Sequence, residues 1–238
     1  MLFGGGSVAP FSPLDISGLA AWYDFSDITT LFTDSARTVP VTADGDVIGG
    51  VTDKSGSANH ATQVTSTAKP TYKTGIQNSL SAALGDGGDW LATAAFTELA
   101  QPNTIFVVVK NPSLVGTEHL FSGITALKRH IIYHEATAPG LTQWYAGTII
   151  NAGEIPPGDA TIYGAIFNGA SSELYRDGTL IDAADVGSQG LTGITLMASH
   201  LTTNRLAGYM MDYYLYDSAL AAGNMTSMHT YLSSKWAI

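Results

Sequence analysis

Short hydrophobic runs separated by turn-forming residues recur along most of the chain, which is the pattern expected of β-strands. Residues 105–109 form five consecutive apolar positions (IFVVV), four of them β-branched, between Pro102 and Pro112. This run predicts a buried strand. Residues 162–167 and 209–216 are predicted to be strands on the same grounds.

Turn signals follow one another at roughly 8–12 residues, the spacing typical of sandwiches and barrels. Asp177-Gly178 lies between two alternating runs and predicts a tight hairpin, because both residue types tolerate a positive φ. A helix over residues 225–232 is predicted near the C-terminus, in a segment beginning at Ser218 or Ala219. Its apolar face is formed, at helical spacing, by Met225, Met228, Tyr231 and Leu232.

Composition narrows the class of protein and of ligand. Of 238 residues, 45% are hydrophobic and 13% charged, and the net charge is −10. A single all-β domain is common at this length. The largest basic cluster is Lys128-Arg129, so nucleic acid is not expected as a ligand, because phosphate affinity needs clustered cations. We expect no membrane insertion and no signal peptide. The absence of cysteine excludes disulfides and thiolate metal sites.

The aromatic segment GLAAWYDFSD, at residues 18–27, could form a sugar platform, a catalytic carboxylate pair or a core strand. On a strand, Trp22 and Asp24 share one face, while Tyr23 and Phe25 share the other. We predict that Trp22 and Phe25 anchor the two sides of an early strand, so that this segment builds the domain.

The order of the segments ISGLAAWYDFSD, ALGDGGDWL, TIFVVVK, LYRDGTLI, AGYMMDYYLYDSALA and YLSSKW resembles the concanavalin A-like lectin/glucanase superfamily. More narrowly, it resembles the laminin-G-like jelly-roll domains of phage virion proteins and bacterial surface proteins. The resemblance implies an all-β, two-sheet antiparallel jelly-roll sandwich with a short C-terminal helix, spanning residues 14–238. A Gly-rich N-terminal arm, residues 1–13, is expected to be flexible. No activity is implied, because the fold hosts lectins, glycosidases and scaffolds.

Glycosidases of this superfamily place carboxylates at alternate positions of one strand, in the form E-x-D-x-x-E. The corresponding segment here, MMDYYLYD, holds Asp212 and Asp217, which are five positions apart and therefore face opposite sides of a regular strand. No glutamate pairs with another acid at alternate spacing, whereas a retaining mechanism needs two carboxyl groups ~5–5.5 Å apart. We therefore expect no catalytic residues and no enzymatic activity.

Two acidic loops are candidate calcium ligands, since calcium prefers several loop oxygens. One loop holds Asp44 and Asp46, and the other holds Asp86 and Asp89. The alternative is that these Asp-Gly segments simply form turns. No other cofactor is expected: the two histidines of RHIIYH lie ~13 Å apart on a strand, too far to share zinc.

Exposed aromatic rings are the candidates for glycan or partner contact. Trp144 and Tyr145 are adjacent, so both cannot point inward on a strand, and one should face solvent or a partner. A sugar stacked on that ring would take hydrogen bonds from Gln143 or Asn151. A protein–protein contact is the alternative, because aromatic residues are enriched in interface cores. Further aromatic candidates are Trp90 and Tyr163.

Together these features predict a non-enzymatic structural protein of a phage virion, either a capsid decoration (cement) protein or a tail-associated adhesion domain. The arm would bind capsid or tail proteins, or other copies of the chain, through Leu2, Phe3 and Phe11. A host-surface glycan is a further candidate partner. The alternative is a lectin-like carbohydrate-binding module of a bacterial surface or secreted protein, which would be extracellular. A glycoside hydrolase is a weaker alternative.

Overall fold

The computed structural model describes residues 10–111, 114, 116–136, 140–155 and 158–238. These residues form two antiparallel β-sheets and one α-helix, α1 (Ala222–Trp236). In chain order the strands are β1 (Leu19–Asp24), β2 (Leu31–Phe32), β3 (Gly50–Val51), β4 (Ala61–Thr62), β5 (Thr71–Gln77), β6 (Leu80–Asp86), β7 (Leu91–Thr93), β8 (Asn103–Lys110), β9 (Glu118–Ser122), β10 (Ile131–Glu135), β11 (Leu141–Tyr145), β12 (Ile149–Glu154), β13 (Ala160–Phe167), β14 (Ser172–Arg176), β15 (Thr179–Ala184), β16 (Thr195–Leu196) and β17 (Ala207–Tyr216). Short 3-10 helices occupy Pro13–Asp15, Ile28–Thr30, Ser66–Ala68 and Gly169–Ser171.

The two sheets pack face to face, as predicted for a jelly-roll sandwich. The eight-stranded sheet has the order β15-β14-β13-β8-β17-β6-β5, and β1 pairs with the second half of β17. The nine-stranded sheet has the order β12-β11-β10-β9-β16-β7-β4-β3-β2. The core between them is continuous and holds, among others, Tyr23, Ile105, Phe121, Trp144 and Tyr213.

The three long predicted strands are confirmed. Residues 105–109 lie in β8, 162–167 in β13 and 209–216 in β17, and β8 pairs with both of the others. The strand β8 is buried on both faces because Ile105 and Val107 point into the core between the sheets, while Phe106 and Val108 lie on the opposite face, in the hydrophobic cluster beneath α1. A continuous apolar run is the expected sequence of such a strand.

Turn geometry also follows the sequence closely. Asp177 (φ 49°) and Gly178 (φ 81°) connect β14 to β15, which confirms the predicted hairpin. A positive φ at both turn residues matches the right-handed twist of the two strands. Strand β16 has only two residues, and the next residue, Met197, leaves the extended conformation with a φ of 64°.

The helix begins later than predicted, at Ala222 instead of Ser218 or Ala219. The hydroxyl group of Thr104 on β8 explains the delay. It donates to the carbonyl of Ser218 (2.8 Å) and accepts from the backbone N–H of Leu220 (3.0 Å). This connecting segment is therefore held against the sheet before the helix starts.

The outer face of the eight-stranded sheet is covered by α1. The helix buries Met225, Met228, Leu232 and Trp236 in the cluster that includes Phe106 and Val108. Half-buried Tyr231 contacts Phe11 edge to face, with ring centroids 5.8 Å apart. This residue of the predicted arm thus packs on the domain, whereas Leu2 and Phe3 lie outside the described residues.

The segment WYDF is a structural element, as predicted. Trp22 lies in the cluster under the helix and stacks on Tyr214, at 5.6 Å between ring centroids. Tyr23 and Phe25 are fully buried in the core between the sheets. One strand therefore anchors both hydrophobic layers.

Among the described residues, an α-helix covers the outer face of the eight-stranded sheet but not that of the nine-stranded sheet. In the part of the chain that the structure describes, α1 is the only α-helix, and it lies on the eight-stranded side. That helix is too short and too polar to span a membrane, and no other described helix could do so. In the nine-stranded sheet, β11 is half-buried at alternate positions and β12 is mostly exposed, so side chains of these two strands are accessible.

Candidate ligand-binding site

The register of strands β10–β12 places aromatic and polar residues together on the outer face. Tyr133 on β10 lies opposite Gln143 on β11, and Gln143 lies opposite Asn151 on β12. Tyr145 follows two positions after Gln143 and therefore shares its face. The intervening Trp144 points into the core.

A groove of about 350 Å³ lies on this face. Its rim holds two exposed apolar side chains, Ile149 (57% exposed) and Leu201 (68% exposed). A mixture of apolar surface and a few polar groups is typical of small-molecule sites. The aromatic and ionisable residues that line the groove are His119, Arg129, Tyr133, Glu135, Tyr145 and His200.

Tyr145 is the best-placed aromatic ring in the groove. It is half-buried, and the guanidinium carbon of Arg129 lies 4.9 Å from its ring centroid. The amide of Gln189 donates to the Tyr145 hydroxyl at 3.0 Å. Arg129 also hydrogen-bonds a ring nitrogen of His200 through Nη1. These contacts hold both the ring and the cation in place.

His119 and Tyr133 form the floor of the groove. Their rings stack with centroids 4.9 Å apart, and both side chains are buried. Burial lowers the pKa of His119 to about 4, and the nearby charges of Arg129 and His200 add to the effect. Burial and the Arg129 charge also lower the pKa of His200. Both histidines are consequently neutral at pH 7, so Arg129 is the main positive charge here.

Glu135 supplies a carboxylate at the other end of β10. Its Oε2 accepts a hydrogen bond of 2.8 Å from the Thr117 hydroxyl. Burial, followed by the Glu135 charge, raises the pKa of Tyr133. Among the described lining residues Glu135 is the only acid, so the groove has one cationic end and one anionic end.

The predicted contact residues divide into two groups. Tyr145 and Gln143 lie on the outer face as expected, and the Gln143 amide donates to Asn151. The prediction for Trp144 is wrong: its side chain is fully buried and its Nε1 donates to Asp182 at 2.9 Å. In the pair Trp144-Tyr145 the register of β11 therefore selects the tyrosine for exposure.

Tyr163 and Trp90 do not contribute to the groove. Tyr163 is fully buried, contrary to the prediction of exposure, and its hydroxyl lies 3.1 Å from both His134 Nε2 and Thr142 Oγ1. Trp90 is half-buried at the start of β7, and its backbone N–H donates to Ala68 at 3.1 Å. It is not among the residues that line the groove.

The four candidate calcium ligands all accept hydrogen bonds from protein groups, three of them within their own loop and Asp44 from strand β5. Asp44 accepts from the Thr74 N–H at 2.8 Å, and Asp46 accepts from the N–H groups of Thr42 and Ala43 at 2.8 and 2.9 Å. The Asp46 contacts are those of a turn-stabilising aspartate, whereas Asp44 joins the loop to β5, where it also pairs with Lys73 at 3.4 Å.

The second acidic loop is built in the same way. Asp86 accepts from the Gly88 N–H at 2.7 Å, and Asp89 accepts from the Asp86 N–H at 3.1 Å. Burial raises the pKa of Asp89 to about 6. Within the described residues no group of three or more histidines and acids is arranged to hold a metal ion.

A cluster of buried charges lies under the helix, and the sequence patterns did not predict it. Asp212 is fully buried, and the antiparallel register places it opposite Asp24. Lys235 donates to both carboxylates at 2.8 Å, and the indole of Trp236 donates to Asp212 at 2.6 Å. Asp217 is exposed and lies one residue beyond the end of β17, whereas Asp212 is within the strand.

A larger groove of about 660 Å³ lies between α1 and the Asp177-Gly178 turn. Its aromatic side chains are Tyr175, whose hydroxyl donates to Glu173 at 2.6 Å, and buried His229. Most of the lining consists of hydroxyl and apolar side chains of the helix, with no lysine or arginine among the described lining residues. It lacks the combination of an accessible ring and an oriented cation that Tyr145 and Arg129 form.

Comparison with known proteins gives matches of structure only. No model of a known protein family matches the chain, and no curated protein matches its sequence. Domain 4 of AbnA, an extracellular GH43 arabinanase from Geobacillus stearothermophilus solved in complex with arabinotriose, has a TM-score of 0.61 and 15% identity. The match covers 89% of this chain and 98% of that domain.

Two other similar structures are parts of longer chains. Trypanosoma rangeli sialidase has a TM-score of 0.57 and 11% identity, covering 92% of this chain and 33% of the sialidase. A GH54 α-L-arabinofuranosidase has a TM-score of 0.64 and 10% identity, covering 80% of this chain and 51% of the enzyme. This chain thus spans about a third of the first and half of the second. At such identities the likeness shows that the chain has the same β-sandwich fold.

Proposed function

We propose that this domain binds an oligosaccharide on the outer face of its nine-stranded sheet and catalyses no reaction. The observation that carries the proposal is the Tyr145 ring, held half-exposed by Arg129 in an open groove. The apolar face of a sugar ring packs on an aromatic ring, while its hydroxyl groups exchange hydrogen bonds with polar neighbours. Gln143 and Asn151 lie on the same face, and their amide groups, which bond to each other, have further donors and acceptors for such bonds.

The structural neighbours support a carbohydrate ligand. The similar arabinanase domain was solved with arabinotriose, and the other two matches are parts of a sialidase and an arabinofuranosidase. These proteins are 10–15% identical to this chain, which shows a shared fold but not a shared ligand. The ligand proposed here therefore rests on the residues of this chain's own groove.

The arrangement of acids favours binding over hydrolysis. Glycoside hydrolysis needs two carboxyl groups on either side of the scissile bond, whereas Glu135 is the single described acid lining the groove. The closely placed carboxylates of Asp24 and Asp212 are buried and both bind Lys235. We therefore propose that purified protein releases no reducing sugar from polysaccharides.

A glycan array followed by calorimetry tests the proposal. Tyr145→Ala should weaken binding by about tenfold or more, which corresponds to about 1.4 kcal/mol. Tyr145→Phe is the matched control, because it keeps the ring on which the sugar and Arg129 stack and loses only the hydroxyl that Gln189 contacts. Unchanged binding by Tyr145→Ala would place the ligand elsewhere.

The role in a phage virion stays a prediction, as do its partners and its location. It depends mainly on the N-terminal arm, of which Phe11 packs against Tyr231. Deleting residues 1–9 should leave the domain folded and weaken binding to capsid or tail particles, or association between copies. Unchanged particle binding by the truncated protein would contradict this role and leave the glycan site unaffected.

A further inference from the structure

We infer that the groove selects oligosaccharides that carry a carboxylate, which Arg129 binds beside the Tyr145 ring. This selectivity rests on the oligosaccharide site proposed above. It assigns the groove to acidic sugars, such as uronic or sialic acids, over neutral ones.

The first support is the charge balance around Arg129. The protein carries a net charge of −10, yet within the described residues no carboxylate lies within ion-pairing distance of this guanidinium. The preceding residue, Lys128, is paired with Glu98 at 2.6 Å. A half-buried arginine left without a carboxylate in so acidic a protein is a site for an anion from outside.

The second support is the presence of buried nitrogens without a hydrogen-bond partner. Arg129 Nε and His119 Nδ1 are both inaccessible to solvent and have no acceptor among the described residues. His119 is only 7% exposed and lies in the floor of the same groove. A buried polar atom without a partner is costly. The described part of the protein thus supplies no acceptor to Arg129 Nε, and the part of the guanidinium that lines the groove is left to bind a ligand carboxylate.

The third support is preorganisation. Arg129 is stacked over Tyr145 at 4.9 Å and bonded to His200, so its position is fixed before a ligand arrives. In an acidic sugar the carboxylate is attached to the same ring whose apolar face packs on an aromatic side chain. One monosaccharide can therefore use the cation and the ring together, and Glu135 at the other end of β10 disfavours the reversed orientation.

Calorimetry with matched ligand pairs tests the selectivity at low salt. The probes are trigalacturonic acid and 3′-sialyllactose, each beside its methyl ester, which removes the charge and keeps the shape. We expect at least one acid to bind ten or more times as tightly as its ester. Arg129→Gln should abolish this difference, and Lys128→Gln, the same change of charge one residue earlier, should retain it.

The outcomes separate the two proposals. If an acid and its ester bind with equal affinity, and Tyr145→Ala loses binding of both, the selectivity for acids is overturned and the proposed sugar site is retained. The same conclusion follows if neutral arabinotriose binds and neither acid does. Failure of every glycan on an array to bind would overturn both. Thermal melts of Arg129→Gln and Arg129→Lys check folding, and partial binding by the lysine variant would support the role of charge.

Discussion

Lys235 in the last turn of the helix forms an ion pair of 2.8 Å with Asp212 at the centre of the eight-stranded sheet. The same ammonium group binds Asp24, which lies opposite Asp212 on the neighbouring strand. Burial opposes ionisation of Asp24, but Lys235 outweighs it and lowers the pKa of this carboxyl to about 2. Complete burial raises the pKa of Asp212 to about 7 despite Lys235. The helix is thus fixed to the sheet by one shared cation.

Replacing this cation should be strongly destabilising. Lys235→Met leaves fully buried Asp212 without its ion-pair partner, whereas Asp24 keeps Lys54 at 3.1 Å. Breaking a buried pair in this way costs about 3–5 kcal/mol. For a chain of this size the melting temperature should fall by about 10 °C. Lys128→Met is the control, because its pair with Glu98 is more exposed and contributes about 1 kcal/mol or less. Similar melting temperatures for the two variants would show that the cluster is not stabilising.

Truncation of Trp144 should destabilise the protein much more than truncation of its neighbour Tyr145. Trp144→Ala removes a fully buried indole and leaves Asp182 without its donor, so the free energy of unfolding should fall by about 3–5 kcal/mol. Tyr145→Ala removes a half-buried ring and should cost about 1 kcal/mol. Chemical denaturation measures the free energy of unfolding of both variants. A larger loss for Tyr145→Ala would contradict the assignment of the inner and outer faces.

Sequence patterns predict the long central strands well and the short strands poorly. The continuous apolar run predicts β8 correctly, because that strand is buried on both faces and needs apolar side chains on each of them. The late start of the helix depends instead on the Thr104 hydroxyl, which binds residues more than a hundred positions away. Strands of two residues, such as β3 and β16, carry too few positions to show alternation.

The site was predictable only in part, for a related reason. Adjacent Trp144 and Tyr145 require one exposed ring, but alternation alone fits either phase, and the pairing of β11 with β10 and β12 selects Tyr145. Arg129 and His200 are 71 positions apart in sequence. Their meeting beside Tyr145 arises from sheet topology, and no local motif marks it.

The Asp177-Gly178 turn provides a local test of backbone strain. Gly178→Val places a β-branched residue at a φ of 81°, which such residues adopt only at a cost. The free energy of unfolding should fall by roughly 1 kcal/mol or more. Gly223→Ala in the helix is the control, since it has no positive φ and open space around it, and it should not destabilise the protein. Equal stability of Gly178→Val and the natural chain would exclude strain at this turn.

Four histidines are buried, and burial lowers the pKa of each to about 4. Two of them have hydrogen-bond partners: His130 Nε2 donates to the Gln189 carbonyl at 2.6 Å, and His134 Nε2 lies 3.1 Å from the Tyr163 hydroxyl. All are 8% exposed or less and comprise His119, His130, His134 and His229.

The buried histidines should make the protein sensitive to mild acid. An unfolded histidine has a pKa of about 6.5, so between pH 6.5 and 4 the unfolded chain binds protons that the native state does not. Stability is therefore complete above pH 6.5 and falls with pH, by about 1.4 kcal/mol per pH unit for each histidine. The raised pKa values of Asp212 and Asp89, about 7 and about 6, act in the opposite direction, because these native carboxyl groups hold protons that the unfolded chain has released. Together they offset about two of the four histidines. Urea denaturation between pH 6 and 4.5 should give a dependence of the unfolding free energy on pH that corresponds to about two protons, reduced by one in His134→Gln. A free energy of unfolding that is flat from pH 7 to 5 would contradict neutral burial of these side chains.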